Sequence, residues 1–391
     1  MSHVRSHLIW LPLAALVSAL AVFCGGTLAG TSARDSHKPA ERHRHVLVVP
    51  TQYPTIQSAV DAAEPGRIVK VLAGTYVEQL VLKKDVTLIG AGMDATIVRA
   101  PIALANGQLG APSIVEVLDG AKVSMSRLTV QGPGANPCAR GPSLTWGIRV
   151  HSRAHLDLGF AAVREIHDTP FEFCPRSGTA IAVGQPEPGS LPASLNVHHS
   201  EITNYQSTGI LVLGTGSWAH ITRNTVAGPG RGAGVPTDGV ELVAGAVGTV
   251  AHNTISGNVC PPNLPQNCGP DFFTQFQHAG ITAGGNGPGT VIVDNVLIGN
   301  QVGMFLGEAD EIRGNVMLDS EFFGLALIGL EDGAFNIQGG AVKGGGGGLW
   351  LTPVALDMNV VLRRVKFSDL GGPAVQILEG AEFKATVVKK P

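Results

Sequence analysis

Asp238 and Glu241 stand three residues apart in the stretch TDGVELVAGAVGTVAHNTISGN, residues 237–258 of a 391-residue chain. Two carboxyl groups that close could act as proton donor and proton acceptor, the minimal equipment of general acid–base catalysis. Other reactive groups lie near them in sequence. The segment from Asn258 to Ala279 carries Asp271 and His278, and the segment before Asp238 carries Arg231. A carboxylate, an imidazole and a guanidinium suffice to abstract a proton beside an anionic group of a substrate. Two carboxyls at a suitable separation would instead suffice for hydrolysis. A plainer role competes, because an aspartate directly before a glycine can close a turn by bonding its own backbone. The choice depends on the elements that carry these residues.

Those elements are short strands that repeat. From residue 113 to 388 many units open with glycine and an alternating apolar strand: GIRV, GILV, GVEL, GITA, GMFL, GLAL, GLWL. A second short strand follows, often with asparagine: HITRNTV, TVAHNTI, VIVDNVL, EIRGNVM. Gly280, Gly303, Gly324 and Gly348 lie 21 to 24 residues apart. Period-2 strands at such a spacing, with no helical pattern between them, predict a solenoid of strands. Val240, Leu242, Val250 and Ile255 then point inward. Coils stacked at about 4.8 Å place equivalent residues above one another. Asn224, Asn253, Asn295 and Asn315 should therefore form a ladder that satisfies backbone groups at a bend. Ser126 and Ser200 would hold its place in earlier coils, and Gly339 and Val365 would break it near the end.

The same stacking orders the outer face of the glycine-led strands. Its outward residues are expected to be Arg149, Ala182, Leu211, Glu241, Thr282, Phe305, Ala326, Trp350 and Gln376. Glu241 is the only acid in that column, and Phe305 and Trp350 form an exposed apolar stretch beyond it.

The glycine-led strand and the asparagine ladder resemble the right-handed parallel β-helix of the pectin-lyase-like superfamily. The stretch YPTIQSAVDAAEPGRIVKVLAGTYVEQLVLKKDVTLIGAGMDATIV is similar to the opening of pectinesterases and of NosD-like β-helix proteins. In it Ile56, Val60 and Ala63 line one side of a short helix over roughly Thr55–Ala63, able to cover otherwise unpaired strands. The expected fold is thus all-β, a right-handed parallel β-helix with a short N-terminal capping helix, forming a single domain over residues 46–391. The resemblance implies a site on the outer face of one sheet beside the longest loops. It also implies a polysaccharide or glycan as partner, and modification of lyase, epimerase or hydrolase type. Glu241, Asp238, His278, Asp271 and Arg231 would be the catalytic set. Trp350 and Phe305 would stack against sugar rings, with Arg149 as a further substrate contact.

Named activities of the superfamily find little support. The paired glutamines, aspartates and arginine of pectinesterases have no match after the amino-terminal part. PTDG echoes one fragment of the polygalacturonase motifs, and IHDTP is not the Asp-Pro-His signature of alginate epimerases. A calcium-dependent lyase needs several acids on one sheet, which a single glutamate per column does not supply; calcium stays open as a cofactor, and no other is expected. The NosD-like role finds no Met/His/Cys-rich face. A non-catalytic β-helix that binds a surface is the alternative in a different class.

Composition bounds the rest. Charged residues make up 15% of the chain and glycines number 52, which disfavours disorder and fits a turn-rich β-protein. The net charge of −3, with no basic run, argues against a nucleic-acid partner. Residues 1–33, with Arg5 before an apolar stretch from Leu8 to about Cys24, read as a secretory signal, so the mature chain is expected outside the cell with no membrane contact and as a monomer. Residues 34–45 form a polar linker. Export leaves Cys138, Cys174, Cys260 and Cys268, an even number that suggests two disulfides. Their spacing does not suit zinc. The loop with His167, Asp168, Glu172 and Arg176, and the vicinal His198 and His199, are further polar clusters.

Overall fold

A computed structural model describes residues 46–118, 120–135, 143–169, 171, 177–187, 189–232, 237–260, 278–329, 334–353, 357–378 and 383–391. The signal and linker segments, Asp271, Glu172, Arg176, Cys138, Cys174 and Cys268 lie outside these residues. The expected disulfides are therefore not described.

Among the described residues, only the first two strands, Val46–Val49 and Arg67–Val71, are both consecutive in sequence and paired; beyond them neighbours are never consecutive. Each strand pairs in parallel with the one three strands further on, giving sheets of 13, 11 and 11 strands. One turn of the chain thus lays one strand in each sheet, and the fold is the right-handed parallel β-helix. Inside, alternate residues form a continuous apolar core. Val240, Leu242, Val250 and Ile255 are all fully buried, each such side chain stabilising the stack by roughly 1.5–3 kcal/mol.

The expected ladder is present. Oδ1 of Asn253 accepts from the backbone N–H of Asn224 at 2.9 Å, and the Asn253 side-chain amide donates to the Ile221 carbonyl at 2.8 Å. Asn295 repeats this toward Asn253, and Asn315 toward Asn295. Ser200 joins at the lower end, its backbone N–H donating to Asn224 Oδ1 at 3.0 Å. Two expected members are misplaced. The pairing of Thr129 with Ala162 puts Leu128, not Ser126, below Ala161, because the turn residue Arg127 intervenes. Pairing of Val316 with Ala341 puts Gly340, not Gly339, above Asn315.

A helix, α1 (Ile56–Ala62), closes the amino-terminal end. Thr55 caps it, its side chain accepting from the Ser58 N–H at 3.1 Å. Ile56, Ala59 and Val60 are buried against the strands Val46–Val49, Arg67–Val71 and Leu80–Leu82. Leu80–Leu82 is the edge strand of the glycine-led sheet. The Gln57 side-chain amide takes the place of a missing neighbour: Val81 N–H donates to it at 2.8 Å, and it donates to the Val81 carbonyl at 3.2 Å. Helix and amide together cover an otherwise open edge.

The glycine that leads each strand of this sheet has a geometric task. A Cβ on Gly239 would lie 2.6 Å from Cγ2 of the core residue Ile255 and 2.5 Å from the Gly280 carbonyl of the next coil. Gly239 thus faces the core, as does Val240 after it. Two successive inward residues interrupt the alternation, and the ladder passes from Thr208–Asp238 directly to Ile210–Val240. The phase slip turns Asp238 and Glu241 to the same outer face.

Candidate carboxylate site on the outer sheet

Asp238 opens the strand Asp238–Val243 and Glu241 sits at its centre. Glu241 is flanked in register by Leu211 below and Thr282 above. The Asp238 carboxylate reaches up to the next coil, where Oδ1 accepts from the Ala279 backbone N–H and the Thr282 hydroxyl, each at 2.9 Å. It closes a contact between coils rather than a turn of its own. From the coil below, the Thr208 hydroxyl donates to Glu241 Oε2 at 3.4 Å. Thr208 precedes Gly209 as Asp238 precedes Gly239, so the two hydroxyls bracket the carboxyl pair. Sequence alone missed Thr208; its place before the leading glycine was the available signal.

The pair is electrostatically strained. Both side chains keep some accessible surface but are closely surrounded by protein. Burial pushes the Asp238 carboxyl well above its ordinary value, and the Glu241 charge pushes the same way; the Ala279 and Thr282 hydrogen bonds oppose this. Burial likewise raises Glu241, against the Thr208 hydrogen bond. Two neighbouring like charges disfavour double ionisation, so each carboxyl makes the other's proton harder to lose. Beneath them Tyr205 is fully buried, and its hydroxyl donates to Asn258 Oδ1. Burial, then the Asp238 charge, hold that phenol well above its usual range. Asn258 in turn receives support from Asn300, whose Oδ1 accepts from the Asn258 N–H at 3.1 Å. This second asparagine ladder, under the site, was not expected from sequence.

The remaining expected residues are dispersed. His278 is buried immediately before Ala279, whose amide anchors Asp238. Arg231 does not converge on the pair: its guanidinium is bound to Glu321 at 2.6 Å. Arg149 lies three coils from Glu241 and is only 3% exposed. It donates to the Val150 and Gly184 carbonyls and lies 5.2 Å from the Trp146 ring. Burial brings its pKa down to about 10 despite Glu187 and Glu116. Phe305 and Trp350, expected as exposed stacking platforms, are 1% and 7% exposed. They form a second apolar cluster with Ala279, Val302, Phe323 and Ala326 on the outside of the sheet. The column order read from sequence is nevertheless that of the registers, from Arg149 through Gln376.

One acid had been overlooked. Glu116 pairs in register with Arg149, so Glu241 is not the sole acid of its column. Glu116 Oε1 lies 3.4 Å from His151 Nε2, both buried, and accepts from the Gln108 N–H at 3.2 Å. Burial would raise this carboxyl, but His151, Gln108 and Ser113 together hold it below the ordinary value. Its strand, Ser113–Val117, lacks a leading glycine, which hid it from the repeat. In another polar loop, His167 Nε2 meets Glu165 Oε2 at 3.0 Å and Asp168 Oδ1 accepts from the Leu144 N–H at 3.0 Å, a structural arrangement. Among the described residues no group of three or more His, Cys, Asp or Glu is placed to hold a metal ion.

Fold and site define a right-handed parallel β-helix with a carboxyl pair on the outer face of one sheet. No protein-family model matches the chain, and no curated protein matches it in sequence. Solved structures do. The Agl-KA catalytic domain superposes with a TM-score of 0.52 at 13% identity, over 84% of this chain and 64% of that one. The Dettilon tailspike protein gives 0.50 at 12% identity, over 87% and 68%. An alginate lyase from a Paenibacillus strain gives 0.48 at 13% identity, over 85% and 95%. At these identities the first two likenesses support the fold alone. Among the described residues no helix is long and apolar enough to cross a membrane.

Proposed function

We propose that this protein binds a polysaccharide and modifies it through Asp238 and Glu241. The carrying observation is the pair itself: two carboxyls turned to one outer face, bracketed by Thr208 and Thr282, both held above their ordinary values by burial. Such a pair supplies an acid and a base at one point, the requirement shared by glycoside cleavage by elimination, by hydrolysis and by uronate epimerisation. Polysaccharide as the substrate class is supported by the resemblance of the scaffold to the pectin-lyase-like proteins. We place the action outside the cell, with residues 1–33 as an export signal and the mature chain monomeric.

A non-catalytic binding protein is the second reading, favoured by the burial of Phe305 and Trp350, which leaves no stacking platform next to the pair along the column. Screening the purified chain against uronic-acid and neutral polysaccharides separates the two. Unsaturated products absorbing in the ultraviolet indicate elimination, new reducing ends without them indicate hydrolysis, and changed uronate stereochemistry indicates epimerisation. Glu241→Gln should lower the turnover by at least about 100-fold, within the usual contribution of a general acid or base. Undiminished turnover in this variant would remove the catalytic assignment.

A further inference from the structure

The 13-stranded sheet, on a different side of the solenoid from the carboxyl pair, ends each coil at a sharp corner. There Arg127, Phe160, His199, Arg223 and His252 stack in successive coils, as the registers of the residues before them require. All five have left-handed backbone, with φ of 57°, 51°, 50°, 57° and 58°. That conformation is unfavourable for side-chain-bearing residues, and it aims each side chain away from the core. All five are exposed, Phe160 by 53%. At about 4.8 Å per coil they form a column roughly 19 Å long.

The sheet face beside the corner continues the pattern. Phe160 stacks on His199 at 4.9 Å and meets His198 edge-on at 5.7 Å. Gly159 makes room for the His198 ring, since a Cβ there would lie 2.4 Å from it. Further along, Trp218, 36% exposed, tilts against His220 at 5.0 Å and His155 at 5.9 Å. Lys122, Arg127 and Arg223 are basic, and Arg153 lies in the turn just before the strand His155–Gly159. The acids facing them are Asp157, 3.6 Å from His198, Glu201 on the adjoining strand, and Asp85, which accepts from the Lys122 N–H. At the two ends Asp94 is paired with Arg164 and Asp294 with Arg313. Five histidines, His155, His198, His199, His220 and His252, lie within this surface, in a chain whose overall charge is negative.

We propose that this corner and the face beside it form a second binding surface, for an anionic polysaccharide strand such as a polyuronate, which tightens as the histidines gain charge. Bases at coil spacing meet the carboxylates, and the exposed rings of Phe160 and Trp218 meet the sugar faces. Protonation of these imidazoles adds positive charge to the surface, so binding strengthens as pH falls. Half-burial, aided by Lys122 and opposed by Asp157, lowers the His155 value. The choice of a polyuronate rests on the glycan reading above; the surface does not use the carboxyl pair.

Affinity electrophoresis of the full chain through gels holding polygalacturonate, alginate or neutral dextran tests this. Retention by the two polyuronates should be about tenfold stronger at pH 5.5 than at pH 7.5, weaken in about 0.5 M sodium chloride, and be absent with dextran. The double variant Arg127→Asn, Arg223→Asn, using a residue that tolerates the left-handed backbone, should lose about tenfold in retention. A strand-face variant, His220→Ala with Lys122→Ser, should lose retention without touching the corner. Thermal unfolding checks that each remains folded. Equal retention at both pH values or in both basic-site variants overturns the proposal, as does tighter binding to duplex DNA or phosphatidylglycerol vesicles than to polyuronate. Retention without turnover overturns only the catalytic reading; turnover without this retention overturns only the second surface.

Discussion

Replacing Asp238 by asparagine should make the protein more stable at alkaline pH and change little at acid pH. Asn keeps an Oδ1 acceptor for the Ala279 N–H and the Thr282 hydroxyl, which Asp238 now binds at 2.9 Å each. It removes a charge that burial and Glu241 both disfavour. Because the folded-state pKa of Asp238 lies above its unfolded value, the folded protein binds the proton more tightly. Stability is then greatest below the unfolded value, falls as pH rises through the window up to the raised folded value, and levels off above it. Each tenfold displacement of that proton equilibrium is worth about 1.4 kcal/mol. Loss of two charge-assisted hydrogen bonds partly offsets the gain, leaving a net stabilisation on the order of 1–2 kcal/mol at pH 8. For a chain of this size that is a rise in Tm of about 1–3 °C. Scanning calorimetry of parent and variant at pH 4 and pH 8 measures it. A variant less stable than the parent at pH 8, or a difference independent of pH, would refute the claim that the pair is held against its own electrostatics.

Asn253→Ala removes partners from the Asn224 N–H, the Asn224 side chain, the Ile221 carbonyl and Asn295 Oδ1. With unpaired buried groups costing roughly 1–3 kcal/mol each before relaxation, destabilisation of about 2–4 kcal/mol is expected in urea unfolding. Trp350→Ala should cost about 3–5 kcal/mol by leaving a cavity beside Phe323, while leaving polysaccharide retention unchanged in the folded protein. Lost retention with intact stability would return Trp350 to the role of a sugar platform.

The sequence made the solenoid legible because its strands share one period and one leading residue. The outer column from Arg149 to Gln376 followed from alternation alone. What stayed hidden depends on backbone turns and on contacts across coils. Glu116 sits on a strand without the leading glycine, and Ser126 was set two residues out because Arg127 occupies a left-handed corner that composition does not mark. The burial of Phe305 and Trp350 comes from a second apolar layer outside the sheet, which period-2 alternation does not reveal. Arg231 offered a charge of the right sign, but its length lets it reach Glu321 instead. Asp238 and Glu241 were named as a pair, yet their shared face comes from the phase slip at Gly239, and strict alternation would have set them on opposite sides.

That slip also bears on how such a chain can vary. Each leading glycine restarts the inside–outside count, so residues added or removed ahead of it leave the outward set after it untouched. A segment inserted before Gly239 or Gly280 cannot turn Glu241 or Thr282 inward. The outer columns therefore behave as fixed sockets, and the connections that precede them are free to change length from one descendant to another without dismantling the surface they border.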